Sequence, residues 1–280
     1  MNIMVTNDDG YDARGIRELV AGLSRKGKVY VFAPAEQQSA CGHGITFRRP
    51  IMIKEIDFPG AEKAWSVDGT PADCVKLGLR MLKQHKVWVD FIFSGINHGS
   101  NLGTDTLYSG TVSGAIEGVI NGIPSVAVSI CAHEPEHFET ASQMIGPLFD
   151  MVCQKLDGRT VLNINLPNLP ADQINGVRIT KLGAREYDEE FKLTVGDDGE
   201  LYYNYSGRPV YYTGLAGDID VIALQDNCVS ITPLHYDLTN YQRVNDVRGW
   251  GIPESFSKLV AWQELDSGAE NQNPGEEEKG

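Results

Sequence analysis

Through its first two thirds the chain alternates short apolar runs with stretches whose apolar residues recur at helical spacing. Residues 3–6, 29–33, 91–93, 125–130 and 161–165 read as strands. Residues 13–25 place Ile16, Leu19, Val20 and Leu23 on one helical face. Further helices are expected from Pro71 to about Leu82, with Thr70 as cap, over 112–121, stopped by Gly122, and over 138–155. Phe91-Ile92-Phe93 has no polar face, which suits the centre of a parallel sheet covered on both sides. Strands separated by helices pair in parallel through crossovers. The rhythm therefore predicts an α/β fold: a doubly wound, Rossmann-like, mostly parallel sheet with helices on both faces.

Residues 45–56 read as extended, being rich in β-branched and basic side chains. Beyond Pro170 the texture changes. Residues 177–213 carry six Tyr and extended patterns around Gly196-Asp197-Asp198-Gly199, which predicts a protruding β-hairpin at about 185–213. Residues 229–232 read as a last strand, closing a single α/β domain over 1–235. Tyr236, Tyr241, Trp250, Phe256 and Trp262 then make 236–266 too apolar for a solvated linker. A C-terminal exchange arm that buries these aromatics on a second copy in a homodimer is the expectation. The Gly/Asn/Glu-rich tail 267–280 is expected to be disordered.

With 280 residues the chain can bury a large core and needs no metal or disulfide merely to fold. Its net charge of −14 leaves no broad basic footprint, which argues against duplex nucleic acid as a partner. The same charge repels anionic substrates unless a local cation reverses the field. Five widely spaced cysteines without a C-x-x-C pair read as buried thiols of a reducing compartment. The N-terminus reads directly as a strand, and no run approaches the length of a membrane span. These features predict a cytoplasmic protein with no membrane partner, in which Asn204-Tyr205-Ser206 stays unglycosylated.

In such a sheet, ligands bind beyond the carboxyl ends of the strands. Three polar segments fall there. Thr6-Asn7-Asp8-Asp9-Gly10 sets two carboxylates side by side, which repel unless a cation lies between them; a turn with a helix-capping Asp is the plainer alternative. The segment from Ser94 to Gly103 offers three glycines for close approach, with Asn97 and Asn101 as neutral oxygen ligands or donors. Tyr108-Ser109-Gly110-Thr111-Val112 turns into a helix, and backbone N–H groups at a helix start with hydroxyls beside them suit a phosphate. Taken singly the last two are common loop chemistry. A fourth piece, Gln38-Ser39-Ala40-Cys41-Gly42-His43, offers the Ser39 hydroxyl as a hard oxygen ligand. Together with the twin acids these segments favour a metal-plus-phosphate site.

Val5-Thr6-Asn7-Asp8-Asp9-Gly10, Ser94-Gly95-Ile96-Asn97 with Asn101-Leu102-Gly103, and Tyr108-Ser109-Gly110-Thr111-Val112 resemble the signatures of the survival protein SurE family. The similarity extends to Asp68-Gly69-Thr70-Pro71-Ala72-Asp73-Cys74-Val75 and Ser230-Ile231-Thr232-Pro233-Leu234, covering about residues 1–240. The resemblance implies a metal-dependent 5′/3′-nucleotidase, acid phosphatase-like, acting on nucleoside monophosphates. It implies one divalent cation per subunit, magnesium or manganese, held by Asp8, Asp9, Ser39 and Asn97. Asp8, Asp9 and Asn97 would be catalytic, with the phosphate held at Asn7, Ser109, Gly110 and Thr111. It further implies homodimers with exchanged C-terminal segments and sometimes homotetramers through the hairpin. His98, Ser100 and Ala40-Cys41 depart from the usual pattern without removing a ligand.

Other motifs fail on physical grounds. His133-Glu134-Pro135-Glu136-His137 spells a zincin motif, but Pro135 opposes the helix that would bring both His to one face. No G-x-G-x-x-G follows the first strand; a response-regulator receiver would need an Asp where Ser94 stands, and a haloacid-dehalogenase nucleophile would need D-x-D. Two other functions stay open: a nucleoside hydrolase using Asp8, Asp9 and Asp12 around a cation, and a non-enzymatic nucleotide-binding regulator.

Overall fold

The computed structural model describes residues 1–188, 191–205, 207–210 and 217–252. The chain divides into two units, residues 1–236 and the residues from 237 onward. In chain order the first unit contains β1 (Asn2–Thr6), α1 (Arg14–Leu23), β2 (Lys28–Pro34), β3 (Ile53–Ile56), β4 (Lys63–Val67), α2 (Pro71–Gln84) and β5 (Phe91–His98). A 3-10 helix, Gly103–Leu107, leads into α3 (Gly110–Ile120), followed by β6 (Ser125–Ile130), α4 (Phe138–Val152), β7 (Val161–Leu166) and β8 (Gly176–Ile179). Then come β9 (Tyr187–Asp188), β10 (Phe191–Val195), β11 (Leu201–Tyr205), β12 (Arg208–Pro209), α5 (Asp220–Gln225) and β13 (Cys228–Leu234).

Among the described residues, nine strands form one sheet in the order β3-β4-β2-β1-β5-β6-β7-β13-β8. β1 pairs in parallel with both β2 and β5, and β6 and β7 continue in parallel beyond β5. The chain grows outward from β1 through β2 and β4, then returns to the other side of β1 with β5. That reversal opens a crevice beyond the carboxyl ends of β1 and β5, where Thr6 sits opposite Ser94. β3 against β4 and β13 against β7 are the antiparallel pairs.

Helices α1 and α4 pack together on one face, α2 and α3 on the other. The two-residue alternation of β1 feeds both cores. Ile3 and Val5 join Ile16, Leu19, Val20 and Ile145, while Met4 joins Phe32, Trp65, Val75 and Leu82. All these side chains are buried, each contributing roughly 1.5–3 kcal/mol of transfer free energy. Thr70 caps α2 in a reciprocal box: its hydroxyl accepts from the Asp73 N–H, and Asp73 accepts from the Thr70 N–H.

Two local readings needed revision. Of the stretch 45–56 only Ile53–Ile56 is a strand, and its partner β4 carries no strong sequence signal. Residues 45–52 are held largely through side chains: the Thr46 N–H donates to the Asp73 carboxylate at 3.0 and 3.1 Å and Arg49 pairs with Asp68 at 2.6 Å, while the Asp68 N–H donates to Met52 O at 2.8 Å. The expected hairpin is present as β10 and β11, antiparallel, with Val195 opposite Leu201 around a turn in which the Gly196 N–H donates to Glu200 O. Residues 177–179 belong to main-sheet strand β8. Residues 133–137 lie before α4 and outside any helix.

In the second unit, α6 (Tyr241–Arg248) is capped by the Asn240 side chain, which accepts the Arg243 N–H. Tyr241 and Trp250 are exposed. Phe256, Trp262 and the tail 267–280 lie outside the described residues.

Candidate active site

The crevice opens into a cavity of about 1200 Å³. Asp8, Ser39, Asn97 and Ser109 line it, brought from the end of β1, the loop after β2, the end of β5 and the start of α3. Asn7 and Thr111 are fully buried. Four segments expected to share one site thus converge at the switch of strand order.

Asp8 is buried, and Thr111 holds it from two directions: the Thr111 N–H donates to Oδ2 at 3.0 Å and its hydroxyl donates to Oδ1. Burial dominates even so and, with the charge of Asp9, pushes the Asp8 carboxyl up to about 6. Burial likewise pushes Asp9 up to about 6, against the pull of the His98 N–H, which donates to Asp9 Oδ2 at 3.1 Å. Two carboxylates forced together out of water are an electrostatic deficit that a divalent cation would remove. Among the described residues no three His, Cys, Asp or Glu side chains converge, so any further ligands must be neutral oxygens.

Ser39 and Asn97 have that character. Asn97 donates its amide N–H to Gly99 O at 2.9 Å, and Ser39 accepts from Gln37 Nε2 at 2.9 Å. Asn97 reaches the crevice through an irregularity in β5. Ser94 is opposite Ala127 and Asn97 is opposite Ser129, so β5 spends one more residue than β6 over that span. Gly95 makes this possible: its φ is +133°, and a Cβ there would stand 2.3 Å from Val128 O. The buried acceptor Asn7 Oδ1, in the residue next to Asp8, has no protein partner. An orphaned oxygen next to a largely desolvated acid pair fits a hydrated, oxygen-liganded cation.

At the start of α3, Ser109 accepts the Val112 N–H at 3.1 Å as helix cap. Gly110 lies against the acid: a Cβ there would come within 2.8 Å of Asp8 Cβ, 2.9 Å of Asp8 Oδ2 and 3.0 Å of Cys41 Sγ. The start of α3 can close directly onto Asp8 only because that atom is missing. Thr111 is committed to Asp8. Asn7 donates to Gly10 O at 2.7 Å.

A model of the family described as Survival protein SurE matches residues 3–189. The chain belongs to the survival protein SurE family. A protein of Methylococcus capsulatus named 5′-nucleotidase SurE is 41% identical over 259 residues, covering 89% of this chain and 97% of that one. Its namesake in Moorella thermoacetica is 46% identical over 243 residues, covering 86% and 92%. The crystal structure of the SurE protein from Aquifex aeolicus superposes with a TM-score of 0.77 at 37% identity, covering 89% of this chain and 99% of that one.

Several residues of this SurE-family site were invisible in the sequence. Glu117 of α3 is buried between His43 Nε2 at 3.0 Å and Lys76 Nζ at 2.9 Å. Burial raises its carboxyl, but the hydrogen bonds and charges of His43 and Lys76 outweigh it and leave Glu117 below its ordinary pKa. With Asp73 on Thr46, and Thr70 donating to Gly44 O at 2.7 Å, it ties down the loop that carries Ser39. Asn101, which the sequence offered as a neutral ligand or donor, also ties the loop to the sheet: its Nδ2 donates to Ser129 Oγ, and its carbonyl accepts from Asn163 and Asn165 of β7. The two-residue spacing of Asn163 and Asn165 was the one available signal, since it puts both on one face of a strand.

Proposed function

We propose that the chain is a divalent-metal-dependent phosphatase that hydrolyses nucleoside 5′-monophosphates, and 3′-monophosphates as well, to nucleoside and phosphate. The observation that carries this reading is the pair of buried Asp8 and half-buried Asp9, both carboxyls pushed up to about 6, set against the glycine start of α3. Relatives named 5′-nucleotidase, at 40–46% identity over most of the chain, support the nucleotide as substrate.

In this reading Asp8, Asp9, Ser39 and Asn97 hold one cation, magnesium or manganese. When bound, it supplies a Lewis acid that draws off charge from a phosphoryl oxygen. Ser109 and Gly110 seat the phosphoryl group at the positive end of α3, where the helix dipole favours developing negative charge. Thr111 acts through Asp8, fixing its orientation. Both Asp8 oxygens accept from Thr111, whereas Asp9 has one oxygen on the His98 N–H. Asp9 Oδ1 is therefore the atom to hold a proton taken from the attacking water. Asn7 supports the turn that carries both acids.

We further propose that the protein is a homodimer through residues 236–266, with a homotetramer available through the hairpin, whose Phe191, Val195, Leu201 and Tyr203 are exposed. Among the described residues no helix is long and apolar enough to cross a membrane, and all five cysteines are free thiols. That thiol state is the support for a cytoplasmic setting.

The test is phosphate release from nucleoside 5′- and 3′-monophosphates with and without Mg²⁺ or Mn²⁺, with Asp8→Asn as control. Metal-dependent release lost in the variant is the expected result. Free base without phosphate would instead make the protein a nucleoside hydrolase, and stoichiometric binding without release a regulator.

A further inference from the structure

The cavity has a second end that phosphoryl transfer leaves unused. Its volume of about 1200 Å³ exceeds the roughly 300–1,000 Å³ of ordinary small-molecule sites. Arg185, Asp105 and Tyr187 line this end with Leu102, Val221, Leu224, Gln225 and Asn227. Arg185 is the one Lys or Arg on the wall among the described residues. Its side chain is 13% exposed and its Nε stands 3.2 Å from Asp105 Oδ2. That Nε nonetheless has no hydrogen-bond partner, while the Tyr187 hydroxyl donates to the same Asp105 oxygen. The backbone beneath is rigidly held: Asp220, fully buried, accepts the Gly103 N–H at 2.7 Å and the Gly183 N–H at 2.8 Å.

A second phosphate is a poor match for this end, because Asp105 cancels the charge of Arg185 and the protein carries −14 overall. A neutral group with adjacent acceptor atoms is a good match. The guanidinium is a planar fork of donors, and Val221 and Leu224 beside Gln225 and Asn227 offer a flat heterocycle apolar contact together with hydrogen bonds. Guanine and hypoxanthine present O6 and N7 as two neighbouring acceptors, whereas adenine sets a donor beside N7.

We infer that Arg185, oriented by Asp105, is a specificity-determining residue that reads the base of the nucleotide and favours 6-oxopurines over adenine. The inference rests on the nucleotidase reading and deepens it.

The test compares the wild type with Arg185→Lys, which keeps the charge beside Asp105 but loses the fork, and with Arg185→Gln. Values of kcat/KM are measured for GMP, AMP and the baseless ester p-nitrophenyl phosphate. Expected are a wild-type preference for GMP and a loss of about tenfold or more on GMP in both variants, carried by KM. AMP and p-nitrophenyl phosphate should change less than twofold. A parallel loss on all three substrates, or no loss on GMP, overturns the assignment. Guanosine and adenosine binding by calorimetry gives a readout independent of turnover. Guanosine should bind the wild type more tightly than adenosine does, and Arg185→Lys should remove the difference; equal binding overturns the subsite. Absence of phosphate release from every ester by the wild type would overturn the nucleotidase reading alone, with guanosine binding still deciding the subsite.

Discussion

Thr111 spends both of its donors on Asp8, its N–H on Oδ2 at 3.0 Å and its hydroxyl on Oδ1. The pair joins the end of β1 to the first turn of α3, residues 103 positions apart in the chain. An acid at a helix N-terminus is favoured by the helix dipole, so Asp8 remains a usable carboxylate despite its burial.

Removing the hydroxyl tests that coupling. Thr111→Val should lower kcat/KM for phosphate release about 10- to 100-fold, the equivalent of one charge-assisted hydrogen bond. Thr111→Ser should restore most of the loss. An unchanged Thr111→Val enzyme would show that Asp8 needs no such anchor.

The acid pair makes a pH prediction for the metal-free protein. Asp8 and Asp9 titrate at about 6 in the folded chain, against 3.8 for an ordinary aspartate. The folded state therefore binds more protons than the unfolded state between those values, and stability falls as pH rises through that window. In EDTA, Tm should be higher at pH 5 than at pH 7.5. Asp8→Asn should flatten the slope, since one pKa unit is about 1.4 kcal/mol. Added Mg²⁺ should recover stability at pH 7.5. A Tm that rises with pH in EDTA would contradict the buried-pair electrostatics.

Glu117→Gln should loosen the loop that carries Ser39. Two charge-assisted contacts, to His43 and Lys76, weaken together, for about 2 kcal/mol of stability in urea unfolding. Hydrogen exchange at residues 42–46 should accelerate, and more Mg²⁺ should be needed for half-maximal activity. Unaltered exchange in that loop would mean that Asp73 alone holds it.

Gly110→Ala adds a Cβ within 2.9 Å of Asp8 Oδ2. Activity should fall at least 100-fold while circular dichroism is retained, because α3 can shift only by displacing the acid. Near-normal turnover would place the phosphate elsewhere.

Deleting residues 237–280 should convert a dimer into a monomer or an aggregate, whereas deleting 267–280 should leave the dimer unchanged. Light scattering at micromolar concentration distinguishes these outcomes. A soluble dimer after the longer deletion would remove the arm from the interface.

Much of the sheet was legible because periodicity is local. The alternation of Ile3, Met4 and Val5 already separates the two faces of β1, and the Thr70–Asp73 box marks the start of α2 within four residues. β4 was missed because Lys63-Ala64-Trp65-Ser66-Val67 is short and borders a Pro-Gly turn, so it becomes a strand only through β2 and β3. The run 45–52 misled in the opposite direction. β-branched residues suggest a strand, but Asp73 and Asp68 supply its partners from outside any sheet.

By itself the sequence determined the alternation of strands and helices, the strand-end position of Asp8, Asp9 and Asn97, and the helix start at Ser109. Each follows from residues within a few positions of one another, where backbone geometry and solvent exposure act locally. Only the tertiary structure decided that Thr111 would hold Asp8, that Glu117 would anchor the loop of Ser39, and that Arg185 would face Asp105. Those pairs are set by the reversal of strand order beside β1 and by the packing of α2 and α3. Burial then made their charges strong and their partners obligatory, an energy that no stretch of isolated chain contains.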